Sequence, residues 1–374
     1  MKTLITATTT PLASIFGSGF LVIVPILAGA VGPYSVFAMA GVCAVAFAVG
    51  GVIRYNIANA EPVLAGTPSE ATLSLERCSD LALILAYVIS VCLYLHILSA
   101  FVLGGLGGDT EFNENLLTTA IIAAITVIGV TKGLNELGVL EQWALYITLL
   151  IILLLFLGFA HYDWTAWRSA TGLELPKSLD HTPWEILTII AGTLIVVQGF
   201  ETPRYLGGMF DAKTRISASR LSQIISTAVY IIFVALALPI VVQLKGTYDD
   251  NSLISLAGFA SSLLVVPLII AAALSQFSAA VADTFSAIGN MEEVTHEHLK
   301  GRWGCIIVGG GAIALAWSAN TLEIIALASR AFAFYYMLQC FVAISVCKSP
   351  AKRASLLVVA VTLAFITIFA VPAA

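Results

Sequence analysis

Ser14-Ile15-Phe16-Gly17-Ser18-Gly19-Phe20, with Pro25 following, stands inside an apolar run from about residue 12 to 31. Two glycines around a serine free backbone amides and carbonyls. At membrane depth such groups are tolerated only where they line a polar cavity or are covered by protein. A second stretch of this kind, Gln198-Gly199-Phe200-Glu201-Thr202-Pro203-Arg204, ends the apolar run 184–206 and adds a proline and two charges. Paired interruptions at corresponding places of two halves are the best pointer in a sequence to a transport site.

Composition supports a membrane setting. Of 374 residues 59% are hydrophobic and 10% charged, against about 25% charged in soluble domains. The longest polar stretch, residues 55–80, is 26 residues long, short of the roughly 50 that a separate domain needs. The chain therefore reads as a single transmembrane domain over 1–374. No basic tract suggests nucleic acid. The six cysteines have neither metal-ligand spacing nor partners in external loops, and read as small apolar residues. The first apolar run lacks a convincing cleavage site and reads as a retained span.

Runs of about 20 apolar residues cross the hydrocarbon. Eleven are expected, near 12–31, 34–54, 80–104, 115–131, 139–160, 184–206, 219–243, 263–291, 304–318, 321–346 and 353–372. The apolar segment 251–262 is too short to span and reads as a re-entrant or capping helix. The expected fold is an all-α polytopic membrane protein whose discontinuous spans 1 and 6 lie five spans apart. Five is odd, so these two run in opposite directions, as an inverted repeat of spans 1–5 and 6–10 demands. Repeat one covers about 12–160 and repeat two about 184–346, with an extra C-terminal span at 353–372. Thirteen Lys and Arg residues then face the side of the N-terminus and three the other. Basic loops stay inside, so a multi-pass inner (plasma) membrane protein is expected, N-terminus cytoplasmic and C-terminus external.

Each interruption also has a plainer reading. Glycine serves close helix contact, and Thr202 to Arg204 suit a helix end at which Pro203 stops the helix. The matching positions decide for a site.

Ser14-Ile-Phe-Gly-Ser-Gly-Phe-Leu-Val, with Pro25 and Gly32-Pro33, resembles the first span of the amino acid, polyamine and organocation (APC) transporters, and Gly199-Phe200-Glu201 resembles their sixth-span Gly-Phe-Glu. The resemblance runs over most of residues 10–345. It implies the five-plus-five inverted-repeat, leucine-transporter-like fold. The chain lacks the lysine that proton-coupled members place in span 5, which leaves the coupling ion open.

In span 1, Ser14, Gly17, Ser18 and Gly19 offer amides to a carboxylate at the positive end of the following half-helix. Gln198, Gly199, Phe200, Glu201 and Thr202 offer carbonyls and a carboxylate to an ammonium group. Tyr94 is added from span 3, where His96 reads as packing. The expected function is cation-coupled symport of a small organic solute, an amino acid or related zwitterion, across the lipid bilayer by alternating access. No cofactor is expected beyond sodium or a proton as coupling ion. Fold relatives bind sodium between span 1 and span 8 with the spacing Ala-x-x-Ser/Thr-Ser/Thr. Ala280-x-x-Asp283-Thr284 resembles it, with Ala13 and Phe16 as span 1 partners by carbonyl; a desolvated carboxylate also suits a proton. Arg330, deep in span 10, is expected as a gate or as a charge partner of Glu201. The rivals are an inorganic-ion carrier on the same fold and a non-transporting sensor or enzyme. The sequence holds no His-Glu-x-x-His or Gly-x-Ser-x-Gly motif.

Overall fold

A computed structural model describes residues 2–17, 19–131, 139–169, 172–177, 180–295, 298, 299 and 301–372. Among them there are helices and no strands. The elements are α1 (Lys2–Gly17), α2 (Ile23–Val31), α3 (Ser35–Tyr55), α4 (Glu61–Leu64), α5 (Glu70–Leu106), α6 (Glu111–Thr131), α7 (Val139–Arg168), α8 (Pro183–Ala191), α9 (Ala212–Val241), α10 (Ser252–Ala260), α11 (Val265–Val294), α12 (Gly301–Ala316), α13 (Thr321–Val346) and α14 (Pro350–Phe369).

The helix ends follow local chemistry. Asn320 and Thr182 cap α13 and α8 in reciprocal boxes with Glu323 and Glu185. Ser69 and Asp211 accept the third-residue amides of α5 and α9, which satisfies donors a helix start otherwise leaves open. The Ser69 cap starts α5 ten residues before the apolar run expected from residue 80, because Glu70–Ser79 lies at a polar end that hydropathy does not mark.

Eight helical stretches among the described residues are long and apolar enough to cross a membrane. The three remaining expected spans fall on other elements. The run 12–31 lies on α1 and α2, 184–206 on α8 and two 3₁₀ turns (Leu194–Val197 and Thr202–Leu206), and 304–318 on the 16-residue α12. The segment 251–262 forms the short helix α10.

α5 is the most enclosed of the long helices, with 78% of its apolar stretch buried. It runs along α11 on one side and α13 on the other. α1 lies against α9, α7 and α11. The apolar faces of α6 and α14 stay largely uncovered, as helices facing lipid do.

Candidate transport site

The two interrupted stretches meet each other. α1 stops at Gly17 and α2 starts at Ile23, with turns over residues 19–22. Gly19 has φ +126° and Gly199 φ +121°, a left-handed backbone that a side chain would strain. They are also points of close approach. A Cβ on Gly199 would stand 2.6 Å from Ser14 Oγ and 2.7 Å from the Ile15 amide nitrogen, and one on Gly19 would stand 3.1 Å from Val196 Cγ2. Gly17 lets α11 in: a Cβ there would fall 2.7 Å from that of Ala279. The expected Ser18 lies outside the described residues.

The freed backbone groups are covered by side chains from α9 and α13. The Tyr230 hydroxyl lies 3.0 Å from the Ile15 carbonyl and 2.6 Å from that of Val196, so a single proton serves an acceptor on each stretch. Ser329 accepts from the Ile195 amide at 3.0 Å and donates to the Gly192 carbonyl at 2.6 Å. Ser219 donates to the Phe200 carbonyl and Thr202 to that of Gly199. A polar backbone segment at this depth is stable only with such partners.

Glu201 does not stand open to a solute. It is fully buried, and its oxygens accept from the Gln198 amide nitrogen, the Gly199 N–H at 3.0 Å and the Tyr336 hydroxyl at 2.7 Å. Phe200 stacks on the Tyr336 ring at 5.2 Å. Three protein donors thus already bond the Glu201 carboxyl expected to receive an ammonium group, and they tie the second interruption to α13. Gln198 and Tyr94 belong to the same buried arrangement, the Tyr94 hydroxyl donating to Gln198 Oε1 at 3.3 Å.

Beneath the crossing lies a cavity of about 620 Å³. Ser14 and Thr202 line it beside the interruptions, and Tyr87 and Asp283 line it further along. It widens toward Tyr205, Met209, Gly289 and Glu293; Met209 is 69% exposed. At the opposite end, Thr321 donates to Asp250 at 2.6 Å and Asn251 to Asp109 at 2.9 Å. These bonds hold the loop before α10 against the start of α13 and against the loop that follows α5.

The five residues expected around a coupling ion lie on two helices, Ala13 and Phe16 on α1, where they share a small pocket with Ser275 and Ser278, and Ala280, Asp283 and Thr284 on α11. Ala13 and Asp283 line the cavity. Phe16 faces a separate pocket against α7. Ala280 and Thr284 lie off the cavity wall, the Thr284 hydroxyl donating to the Ala280 carbonyl at 2.7 Å. Asp283 is 5% exposed, and Ser90 of α5 donates to its Oδ2. A hydroxyl donor on a carboxylate stabilises its charged form, so the Ser90 bond is compatible with a carboxylate that takes either a cation or a proton as its partner.

Arg330, expected as a gate or as a charge partner of Glu201, makes its described contact elsewhere. Its Nη2 donates to the Ile368 carbonyl of α14 at 3.1 Å, and it does not pair with Glu201. The cationic partner near the second interruption is Arg204, in an ion pair with Glu76 at 2.5 Å and bonded to Gln339.

This is a polytopic helical membrane protein of transporter architecture. A family model described as an APC superfamily transporter matches residues 1–372, and the chain belongs to that family. An uncharacterised protein of Aquifex aeolicus (strain VF5) is 40% identical over 347 residues, 91% of this chain and 84% of the relative. A mutant form of the Eremococcus coleocola manganese transporter superposes with a TM-score of 0.58 at 11% identity, covering 98% of this chain and 85% of its own. That likeness shows the fold alone. Mhp1 in its inward-facing conformation gives a TM-score of 0.48 at 14% identity over 92% of this chain and 75% of its own.

Proposed function

We propose that the protein is a secondary active transporter that carries a small organic solute, an amino acid or related zwitterion, together with a proton by alternating access. The reading takes α1 with α2, and 184–206, as the two discontinuous spans of an eleven-span, five-plus-five inverted repeat with α14 extra. It is carried by the meeting of two interrupted stretches beside a cavity lined by Ser14, Thr202 and the buried carboxyl of Asp283. A channel would need a continuous pore, whereas this cavity ends at the crossing.

Ser14 and Thr202 are the side chains that meet the solute, with the backbone about Gly17–Gly19 and Gln198–Thr202 behind them. Asp283 takes the coupling proton: a carboxyl at this depth costs least when neutral. The thirteen-to-three bias of basic residues supports a cytoplasmic opening of the cavity. The choice of an amino acid rests on family membership.

The test is thermal stabilisation of the purified protein by amino acids, amines, nucleobases and inorganic ions, at acidic and alkaline pH, with and without sodium. Uptake of the stabilising compound into proteoliposomes under an imposed pH gradient follows. Stabilisation by an amino acid and uptake driven by the gradient are expected. Stabilisation by inorganic cations alone would move the protein to the ion carriers, and sodium-driven uptake indifferent to pH would remove Asp283 as a proton carrier.

A further inference from the structure

Arg54 stands at the end of α3 and is 7% exposed. Among the described residues the arginines held in ion pairs are Arg204, with Glu76, and Arg215, with Glu61. Arg54 has neutral acceptors instead. Its Nη1 donates to Gln223 Oε1 and, at 3.5 Å, to Ser219 Oγ, and its Nη2 donates to the Phe47 carbonyl at 3.2 Å. Gln223 is fixed in turn by its Nε2, which donates to the Ala46 carbonyl at 2.7 Å. A guanidinium has five N–H groups, so the Nε–H and one hydrogen of Nη2 are left without an acceptor among the described residues. An arginine is almost never this buried without an anion, because neutral partners leave its charge uncompensated.

The surroundings add charge and leave room. Arg220 directly follows Ser219 in α9 and is exposed. α3 has 21 residues, about the thickness of the hydrocarbon at 1.5 Å per residue, so Arg54, its next-to-last residue, lies at headgroup depth. Along the helix behind it the surface is low. Gly41, Ala44 and Ala48 are exposed; a Cβ on Gly41 would meet nothing within 4 Å, and one on Gly51 only Arg54 Nη2 at 3.8 Å. Phe47, 40% exposed, holds its ring 4.9 Å from the Arg54 guanidinium. On the α9 side Ile224, one turn beyond Arg220, is 52% exposed.

We propose that the groove between α3 and α9 binds an anionic phospholipid, its phosphate on Arg54 and Arg220 and an acyl chain along the stripe from Gly41 to Gly51. The two donors left on Nε and Nη2 belong to one planar fork, the arrangement that phosphate oxygens accept in pairs. Basic residues at the membrane surface attract the anionic lipids of the cytoplasmic leaflet, which is the leaflet on this side under the orientation proposed above. A free phosphate offers the same oxygens but no chain for the stripe. The site lies one side chain away from the second interruption, since Ser219 donates to the Phe200 carbonyl at 3.0 Å. Neither the solute nor the coupling ion enters into it.

The probe is phosphatidylglycerol, titrated against phosphatidylcholine of the same chains into the full-length protein in detergent. Native mass spectrometry counts the lipids retained, and the unfolding temperature is followed alongside. One tightly held phosphatidylglycerol per protein is expected, with an unfolding temperature that it raises and phosphatidylcholine does not. Arg54→Gln is expected to weaken its binding about tenfold or more, the effect of losing charge-assisted hydrogen bonds. Arg54→Lys is expected not to restore it, because an ammonium group lacks the planar fork. Should Arg54→Gln fail to fold, Arg220→Gln carries the test at an exposed position: binding about fivefold weaker, restored by Arg220→Lys. Lys348→Gln, at an exposed lysine before α14, is expected to change nothing. Equal weakening by Lys348→Gln would show a diffuse attraction of the basic face and overturn the site. Retention that does not distinguish the two lipids, or that survives Arg220→Gln and Arg54→Gln undiminished, would overturn it as well. Stabilisation by inorganic phosphate equal to that by the lipid would assign the arginines to a free anion and remove the lipid.

Discussion

At the scale of single residues, the crossing depends on one missing side chain and one hydroxyl. Gly199→Ala forces a side chain into left-handed backbone, which costs about 1–3 kcal/mol by itself, and aims its Cβ at the Ile15 nitrogen 2.7 Å away. A backbone atom cannot rotate aside. Tyr230→Phe keeps the ring between Phe16 and Phe20 and removes only the donor shared by the Ile15 and Val196 carbonyls, about 1 kcal/mol. Thermal unfolding in detergent and proteoliposome uptake should therefore rank wild type, then Tyr230→Phe, then Gly199→Ala, on both measures. A Gly199→Ala protein as stable and active as wild type would remove the close approach from the account. The glycines were legible in the sequence because they cluster inside an apolar run. Tyr230 and Ser90 were not: neither carries a local signal in its hydrophobic helix, and the Tyr230 partner in α1 is 215 positions away. Glu201 and Arg330 read as partners by depth alone, but pairing depends on helix rotation, which turns one to Tyr336 and the other to Ile368.

At the scale of elements, the outer closure is the joint most exposed to solution conditions. Burial holds the Asp250 carboxyl above its ordinary value, with Asp249 adding to this against the Thr321 hydrogen bond. The closed arrangement thus binds that proton more tightly than an opened, solvated one. The closure is at full strength below the ordinary aspartate pKa of about 3.9 and weakens as pH rises through the raised value. Ala30 is buried beside Asp250 in a small pocket behind this loop. An Ala30→Cys variant should accordingly be labelled faster by an impermeant thiol reagent from that side as pH rises, after correction for the reagent's own pH dependence. Adding Asp250→Asn, which stays neutral, should make the corrected rate flat. A rate that falls with pH would reverse the sign of the argument. The same joint shows what hydropathy can and cannot give: α10 was legible as an apolar run too short to span, whereas Asp109, which receives Asn251, lies in the polar loop after α5, where hydropathy gives no signal.

At the scale of the whole molecule, the proposed sidedness rests on two independent lines that have to agree. One is the distribution of basic residues in the sequence. The other is the cavity, which reaches from Ser14 and Thr202 beside the crossing to Met209, Gly289 and Glu293. Met209 falls in the stretch between Arg204 and Lys213, and Glu293 in the stretch before Arg302, so the basic loops and the cavity mouth share one face. Among the native cysteines Cys78 is exposed and the other five are buried, so a Cys78→Ser background leaves a quiet surface for reporters. In that background, Gly289→Cys and Ser286→Cys should react with an impermeant thiol reagent applied to inside-out vesicles and stay unreacted in right-side-out ones, the deeper Ser286 position more slowly. A stabilising solute should slow Ser286→Cys more than Gly289→Cys, since only the deeper position lies close to Asp283. Reaction from the external face alone would invert the topology that the basic residues imply while leaving the fold intact. Equal reaction from both faces would mean that the crossing does not seal the cavity, and alternating access would lose its structural basis in this chain.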